Sequence, residues 1–231
     1  MCLPQTSLDD SRFDISLPSL VKAVGPEGTL RRRCHAGQPL YRQGQPFHAL
    51  YVVETGSFKI RDLAEDGREK VSAFKLRGDH LGMESIGLAQ YACDAVALEE
   101  SSCWEVSYEL ALRAAARAAP LQAELNAVLA SEIRSAAGWM LTLSTLAADS
   151  RVAAFLVHMS RRYAALGQRS QHIALRMSRL DMASFLGLKH ETVSRALGHL
   201  ADSRYIAVSR REVDVLDPGG LAQCATAAIA A

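Results

Sequence analysis

Glu191, Ser194 and Arg195 are the residues whose types and spacing best suit recognition of DNA bases. On a helix, steps of three and four residues place side chains on one face. An arginine donates two hydrogen bonds to guanine O6 and N7, and a glutamate accepts one from the amino group of cytosine. A serine hydroxyl suits a base edge or a phosphate. The alternative is an ordinary surface ion pair between Glu191 and Arg195, so the surrounding elements must decide.

Two short helices joined by a glycine turn are expected to position this face. Ser178 suits the N-cap of the first helix, with Asp181 near the positive end of its dipole. Gly187 tolerates the left-handed conformation that ends such a helix, and the turn covers residues 188–190. The expected buried residues are Leu180, Ala183 and Leu186 in the first helix and Val193, Ala196, Leu197 and Leu200 in the second.

A basic hairpin over residues 205–216 follows the second helix. Arg204, Arg210 and Arg211 flank it and are candidate phosphate contacts, with a solvated hairpin as the alternative. Three more residues complete the set of candidate DNA-binding residues: Lys189 and His190 of the turn and Thr192 of the second helix. Together these elements favour base recognition over a surface ion pair, and they predict a winged helix-turn-helix that binds double-stranded DNA.

From about Leu30 to Leu216 the chain resembles the cyclic-AMP-receptor/fumarate-nitrate-regulator (CRP/FNR) family of bacterial transcription regulators. The segment His190-Glu191-Thr192-Val193-Ser194-Arg195 is similar to the FNR branch, which carries Glu-x-x-Ser-Arg. The CRP branch has an arginine at the position of His190 and a glycine at the position of Ser194. The resemblance implies a homodimer that binds a palindrome of the TTGAT…ATCAA type and contacts RNA polymerase.

Charge is unevenly distributed along the 231 residues, although the net charge is only +1. Residues 151–216 contain eleven Lys and Arg against five Asp and Glu, a net charge of +6, and the remainder carries −5. A basic carboxyl-terminal domain favours phosphate binding. The sequence has no apolar run of membrane-spanning length and no basic-then-apolar signal peptide. We therefore expect a cytoplasmic protein with no membrane partner and with its five cysteines reduced.

Short segments between glycines predict a β-barrel or jelly roll in the amino-terminal half, where nine of the 15 glycines lie between Gly25 and Gly87. The expected strands include Leu50–Val53, Ser57–Asp62 and Lys70–Leu76, with an Asp66-Gly67 hairpin turn. The resemblance implies that this half is an effector-binding β-roll, whose turn glycines are Gly37, Gly44, Gly56 and Gly78.

The expected fold class is α+β, with an amino-terminal β-roll, a long dimerisation helix and a carboxyl-terminal winged helix-turn-helix. The expected domains are the β-roll over residues 20–118, the dimerisation helix over 119–148, the winged helix-turn-helix over 149–218 and a tail over 219–231. Ser107 suits the N-cap of a short helix that ends at Ala119, and Pro120 suits the first position of the long one.

A coiled-coil seam is predicted along the long helix, because six apolar residues alternate spacings of four and three. They are Leu129, Ile133, Ala136, Met140, Leu143 and Ala147. The alternative is a helix that packs on its own β-roll, and the family resemblance favours the parallel dimer. No acidic residue interrupts the seam, so we expect dimerisation without a cofactor.

The effector is not determined by the sequence. Cyclic-nucleotide-binding relatives hold the ribose and phosphate with a glutamate and an Arg-Ser pair, and this chain has Met83 and Tyr91-Ala92 at those positions. Without that arginine a buried phosphate lacks its bidentate partner, which argues against cyclic AMP. A [4Fe–4S] cluster needs four converging thiolates, whereas Cys2, Cys34, Cys93, Cys103 and Cys224 are scattered. Such cysteines are more often small core residues.

Haem and a redox thiol remain open as effector chemistries. Cys34-His35 offers an axial haem ligand, while His35, His48 and His80 each lie beside a turn residue and suit a surface loop. The three arginines before Cys34 are expected to lower its thiol pKa. A domain with no ligand is the further alternative.

Glu65-Asp66-Gly67-Arg68 resembles a family loop that contacts RNA polymerase, and an inert hairpin tip is the alternative. The competing function is a small-molecule-binding β-roll sensor for haem, a gas or redox state, whose helical tail serves mainly for assembly. A cupin-like enzyme would need a His-x-His pair, and the sequence has none. It also lacks the phosphate-binding Gly-Lys-Ser and the Gly-x-Ser-x-Gly nucleophile turn, so we expect no enzyme activity.

Overall fold

The structure, a computed structural model, describes residues 18–64 and 66–226. Two four-stranded antiparallel sheets form an amino-terminal jelly roll. Its strands are β1 (Thr29–Cys34), β2 (Pro39–Tyr41), β3 (Ala49–Thr55), β4 (Phe58–Leu63), β5 (Glu69–Lys75), β6 (His80–Leu81), β7 (Asp94–Ala97) and β8 (Ser101–Ser107). The strand orders are β1-β8-β3-β6 and β2-β7-β4-β5. The predicted β-roll is confirmed.

The β4–β5 hairpin turns at the predicted Asp66-Gly67, where Gly67 has a φ of +82°. A second glycine, Gly56, joins β3 to β4 with a φ of +77° and lies directly against Ser101. A β-carbon at Gly56 would lie 2.2 Å from Ser101 Oγ, so both the left-handed backbone and the close approach require glycine there.

Three helices accompany the β-roll and extend from it. They are α1 (Ser19–Val24), α2 (Tyr108–Arg117) and α3 (Ala119–Thr145). Ser107 caps α2 by accepting the Leu110 N–H, as predicted, but α2 ends at Arg117 rather than Ala119. The helix α3 begins at Ala119, so Pro120 is its second residue rather than its first. Short 3-10 turns cover Pro26–Gly28 and Met83–Ser85. Within the described residues, no helix is both long enough and apolar enough to span a membrane.

The carboxyl-terminal domain consists of four helices and a small antiparallel sheet. Its elements are α4 (Ala148–Ala165), β9 (His172–Ala174), α5 (Arg179–Leu186), α6 (His190–Asp202), β10 (Ile206–Ser209), β11 (Glu212–Val215) and α7 (Pro218–Cys224). The sheet order is β10-β11-β9, so the predicted hairpin pairs with a third strand. One continuous core joins this domain to β5 through Val71 and Phe74.

Two expectations for this domain are wrong. Residues from 219 onward do not begin a tail, because Asp217 caps α7 and Leu221 is buried at 1% exposure in the domain core. Leu180 is 66% exposed rather than buried. The helix α5 instead buries Met182 and Phe185, because one side of it packs on β5.

Candidate nucleic-acid interface

Two local features of α5 position α6, the helix that carries the predicted base-reading residues and is called the reading helix below. A capping box begins α5: Ser178 Oγ accepts the Asp181 N–H at 3.0 Å, and the Asp181 carboxylate accepts the Ser178 N–H at 2.9 Å. Gly187 ends the helix with a left-handed φ of +62°. Both predictions are confirmed, and together they set the angle at which the chain enters α6.

The helix α6 buries one face and exposes the other as predicted. The buried residues are Val193, Ala196, Leu197 and Leu200. Glu191, Ser194 and Arg195 are exposed together on the opposite face. Lys189 is the N-cap, and His190 begins the helix rather than belonging to the turn. The reading face is therefore presented to solvent by a helix whose other side is fixed in the core.

The contacts of the exposed face decide between a reading surface and a surface ion pair. Glu191 lies 3.3 Å from His190 Nδ1 and makes no ion pair with Arg195. Within the described residues the Arg195 guanidinium has no ion pair or side-chain hydrogen bond. Ser194 Oγ donates to the His190 carbonyl at 3.1 Å, and Thr192 is half-buried. Arg195 is thus free to donate to a ligand.

The wing adds exposed cations beside α6. Arg210 and Arg211 form the two-residue turn between β10 and β11, and Arg210 adopts a left-handed φ of +54°. Arg204, just before β10, has a φ of +58°. Among the described residues none of the three arginines pairs with a carboxylate. A non-glycine residue in this region is uncommon, and such backbone strain clusters at functional surfaces.

The β4–β5 hairpin holds the first helix of the motif. Lys59 of β4 forms an ion pair with Asp181, and the Val71 N–H donates to Ser184 Oγ at 2.9 Å. Arg176 Nε lies 3.1 Å from a Glu99 carboxylate oxygen. The sequence did not reveal these contacts, because the partners are 77 to 122 positions apart and no local pattern links them.

A two-residue joint, Leu146 and Ala147, connects α3 to α4. Arg151 Nε donates to the Leu146 carbonyl at 2.8 Å, and its Nη1 donates to the Leu186 carbonyl at 3.3 Å. The same side chain therefore ties the joint to the end of α5. Because α3 ends at Thr145, Ala147 lies outside the helix and its assignment to the seam is wrong.

The other seam residues lie on α3. Ile133 and Met140 are 69% and 72% exposed, which is unusual for large apolar side chains on a helix without a partner. Ala136 is exposed, and Leu129 and Leu143 are half-buried. The predicted alternative, a helix covered by its own β-roll, holds for Leu129 only. Ile133, Ala136 and Met140 therefore form an apolar stripe that no described residue of the chain covers.

The interior of the β-roll is filled by tyrosines where relatives hold a nucleotide. The rings of Tyr41 and Tyr91 stack with centroids 4.1 Å apart, and the Tyr91 hydroxyl donates to the Ala49 carbonyl at 2.9 Å. Glu84 accepts hydrogen bonds from the Tyr41 hydroxyl at 2.9 Å and the Cys93 thiol at 3.0 Å. Met83 is buried. These residues offer a phosphate no cation, so they do not fit a cyclic nucleotide.

The four cysteines in the described part of the chain are not grouped with other metal ligands. Cys34, Cys93 and Cys103 are buried in the β-roll core, and within the described residues no three His, Cys, Asp or Glu side chains are grouped to hold a metal. Cys2 lies outside those residues. Burial raises the pKa of the Cys34 thiol, although Arg32 opposes this, so the expected lowering is wrong.

The three β-roll histidines differ in environment. His35 and His48 are exposed, as expected for loops, and His35 Nδ1 lies 3.0 Å from Glu100. His80 instead begins β6, where burial lowers its pKa. The adjacent Cys34 is protonated and faces the core while His35 faces solvent, so this pair does not fit an axial haem ligand.

The hairpin tip considered for polymerase contact is exposed. Asp66 Oδ2 lies 2.7 Å from Arg68 Nε and Gly67 forms the turn, whereas Glu65 lies outside the described residues. This tip and Lys59 belong to one hairpin, so the same hairpin carries the tip and contacts the first helix of the motif.

Comparison with known proteins agrees with this architecture. A Crp-like helix-turn-helix domain is matched at residues 150–224 and a cyclic nucleotide-binding domain at residues 31–117. The chain is 34% identical to the transcriptional activator protein Anr of Pseudomonas protegens, over 94% of this chain and 86% of that protein. It is 30% identical to the fumarate and nitrate reduction regulatory protein of Escherichia coli, over 97% of this chain and 86% of that protein.

Among solved structures, FixK2 from Bradyrhizobium japonicum is similar with a TM-score of 0.79 and 31% identity, over 87% of this chain and 99% of that chain. The β-roll, the long helix and the winged helix-turn-helix with its exposed reading face define a DNA-binding transcription regulator. The chain belongs to the CRP/FNR family.

Proposed function

We propose that this chain is a homodimeric transcription activator that binds a TTGAT…ATCAA palindrome. The observation that carries the proposal is the unpaired Arg195 beside Glu191 on a helix whose opposite face is buried. A guanidinium left without a carboxylate is ready to form a bidentate contact with a guanine, and Glu191 is placed to accept from a cytosine amino group. The similarity of His190–Arg195 to the FNR branch supports the choice of palindrome.

The remaining cations position the protein on the phosphate backbone. Lys189 and His190 lie at the amino-terminal end of α6, where the helix dipole also favours a phosphate. Ser194 and Thr192 complete the contact surface at this end. Arg210 and Arg211 on the wing add charge that reads no base but strengthens binding to any sequence.

Dimerisation through α3 supplies the second reading helix. The exposed stripe of Ile133, Ala136 and Met140 supports a parallel pair of helices, and the half-buried Leu129 and Leu143 extend it. Two such chains present two copies of α6 to half-sites about one DNA turn, roughly 34–36 Å, apart. The seam contains no charged group, so the dimer forms without a cofactor.

Activation involves RNA polymerase in the cytoplasm, through the hairpin tip over residues 65–68, of which Asp66, Gly67 and Arg68 are exposed. The tip and the DNA-reading domain are held by the same hairpin, which supports a fixed distance between DNA and the polymerase contact. Two relatives are named transcriptional activators, in Pseudomonas protegens and Pseudomonas aeruginosa.

Fluorescence anisotropy with a labelled TTGAT palindrome tests the DNA assignment. Arg195→Ala is expected to cost about 1–3 kcal/mol per half-site and to relax the preference for guanine at one position. The matched control is Arg117→Ala, which removes an exposed arginine far along the chain from the motif and leaves affinity unchanged. Equal affinity of Arg195→Ala and wild type would show that the reading face is assigned wrongly.

A further inference from the structure

A cavity of about 1130 Å³ lies where the β-roll, the long helix and the DNA-binding domain meet. One wall comes from β5, a second from α4 with Phe185 of α5, and a third from α3. Small-molecule sites occupy roughly 300–1,000 Å³, so this cavity is large enough for an organic ligand. It is separate from the tyrosine-filled interior of the β-roll.

The helix α3 turns its small residues towards this cavity. Ser131, Ser135, Gly138 and Thr142 line it at spacings of four, three and four. At about 100° per residue this stripe is on the opposite side of the helix from Ile133. Three seam residues, Ala136, Met140 and Leu143, also line the cavity. In the proposed dimer a second copy of α3 would lie along these seam residues and cover the open side of the cavity.

Aromatic rings form the floor of the cavity. The Trp139 ring meets Phe185 edge to face with centroids 4.7 Å apart, and it meets His158 in the same way at 5.3 Å. Phe74 and Phe155 complete this floor. Such a surface suits the flat ring of an aromatic ligand, since rings prefer offset or edge-to-face contacts at these separations.

The charges around the cavity leave one positive charge in excess. Lys75 Nζ lies 2.6 Å from Glu132 Oε1, and Arg162 pairs with Asp79. Asp62 and Lys70 lie directly opposite each other on β4 and β5. Arg134 also lines the cavity and has no carboxylate partner in the described part of the chain. The site therefore favours a ligand with one negative charge.

His158 adds a neutral polar group to the wall. Burial lowers its pKa to about 4, with Arg162 acting in the same direction, so the imidazole is uncharged at neutral pH. Within residues 18–64 and 66–226 its ring nitrogens have no hydrogen-bond partner. A neutral imidazole open to the cavity can donate to or accept from a ligand without adding charge.

We propose that this cavity binds a small aromatic monoanion, whose ring lies on Trp139 and Phe185 and whose anionic group meets Arg134. The inference rests on the proposed dimer only for the closing of the open side. The walls of the site belong to the β-roll, the long helix and the DNA-binding domain.

The test uses the full-length dimer with Trp104→Phe, which leaves Trp139 as the only tryptophan of two. The probe is 8-anilinonaphthalene-1-sulfonate, an aromatic monoanion, and its uncharged counterpart is N-phenyl-1-naphthylamine. We expect one sulfonate dye per chain with energy transfer from Trp139. Arg134→Ala should weaken the sulfonate dye about tenfold, as expected for a lost charge-assisted hydrogen bond, and leave the uncharged dye unaffected.

Ser135→Phe places a ring in the cavity and should abolish binding of both dyes, whereas Ser135→Ala should bind both normally. If Ser135→Phe still binds DNA, the variant is folded. If its DNA binding is lost, Gly138→Met is used instead, because Gly138 lies on the same stripe of α3. Dye binding that survives both filling variants, or that shows no transfer from Trp139, overturns the cavity site while leaving the proposed DNA function intact. If the parent protein without dye does not bind the palindrome, the proposed DNA-binding function is wrong, whereas the proposed cavity site is unaffected.

Discussion

Lys59 of the β-roll forms an ion pair with Asp181, the same carboxylate that accepts the Ser178 N–H and begins the first helix of the DNA-binding motif. The Asp181 side chain therefore both caps α5 and holds this helix against the β-roll. Burial raises the pKa of the Asp181 carboxyl group, but the hydrogen bonds from Lys59 and Ser178 outweigh burial and bring this pKa below its usual value.

Lys59→Met is expected to destabilise the protein by about 1–3 kcal/mol at pH 7, because it leaves a partly buried carboxylate without its cation. A carboxyl group with a lowered pKa stabilises the fold above its unfolded pKa, about 3.9, and loses that contribution as the pH falls through the folded value. Urea unfolding at pH 7 and pH 3 should therefore show a deficit that shrinks in acid. Lys22→Met, on exposed α1, is the control; a deficit that is independent of pH would contradict this account.

Arg210→Gly is expected to change stability and DNA binding in opposite directions. Glycine relieves the left-handed backbone at φ +54°, which raises the free energy of unfolding by up to about 1 kcal/mol. Loss of the phosphate contact weakens binding to any sequence and reduces the slope of log K against log salt by about 1. Arg211→Ala should reduce the slope without stabilising the fold. An unchanged slope for Arg210→Gly would show that the wing does not touch phosphate.

Met140→Glu is expected to convert the dimer to a monomer, because it places a charge in the middle of an apolar helix pair. Light scattering at micromolar concentration measures the mass, and the anisotropy assay should show loss of palindrome binding in parallel. Ala123→Glu introduces the same charge at an exposed position outside the seam and should remain dimeric. A wild-type protein that is monomeric in this assay would refute the dimer directly.

Two Gly→Ala substitutions should have opposite effects on stability. Gly56→Ala puts a β-carbon 2.2 Å from Ser101 Oγ and 2.8 Å from the Glu100 carbonyl, at a left-handed φ, and should lower the free energy of unfolding by about 2 kcal/mol or more. Gly138→Ala lies within α3 with no atom within 4 Å of the new carbon, and should raise it by about 0.5–1 kcal/mol. Thermal and urea unfolding report both changes.

The DNA-binding motif could be predicted from the sequence because its helix caps and its apolar spacing act over a few consecutive residues. Ser178 and Gly187 act on their immediate neighbours, and the spacing of Val193, Ala196, Leu197 and Leu200 reports directly which side of α6 is buried. Each of these effects is contained in a few consecutive residues. The β-roll was predicted for the same reason, from glycine turns such as Asp66-Gly67.

Effects between distant residues were not predictable. Leu180 was expected in the core, but the docking of α5 on β5 buries a different side of the helix. The arginines beside Cys34 suggested a lowered thiol pKa, yet desolvation in the sheet outweighs them. Leu221 gave no strong pattern of its own, and only the packing of α7 against α4 shows that it belongs to the core.

In the proposed dimer, the joint at Leu146 and Ala147 limits which spacing of DNA half-sites the protein can bind. With Arg151 bonded to both the joint and the end of α5, little slack remains between the seam and the reading helix. In the proposed dimer, the separation of the two copies of α6 is therefore set by the protein rather than adjusted to the DNA. One base pair added at the centre of the palindrome would move one half-site by about 3.4 Å and rotate it away from its reading helix. The bases of both half-sites would be unchanged, but the dimer could not contact both half-sites at once.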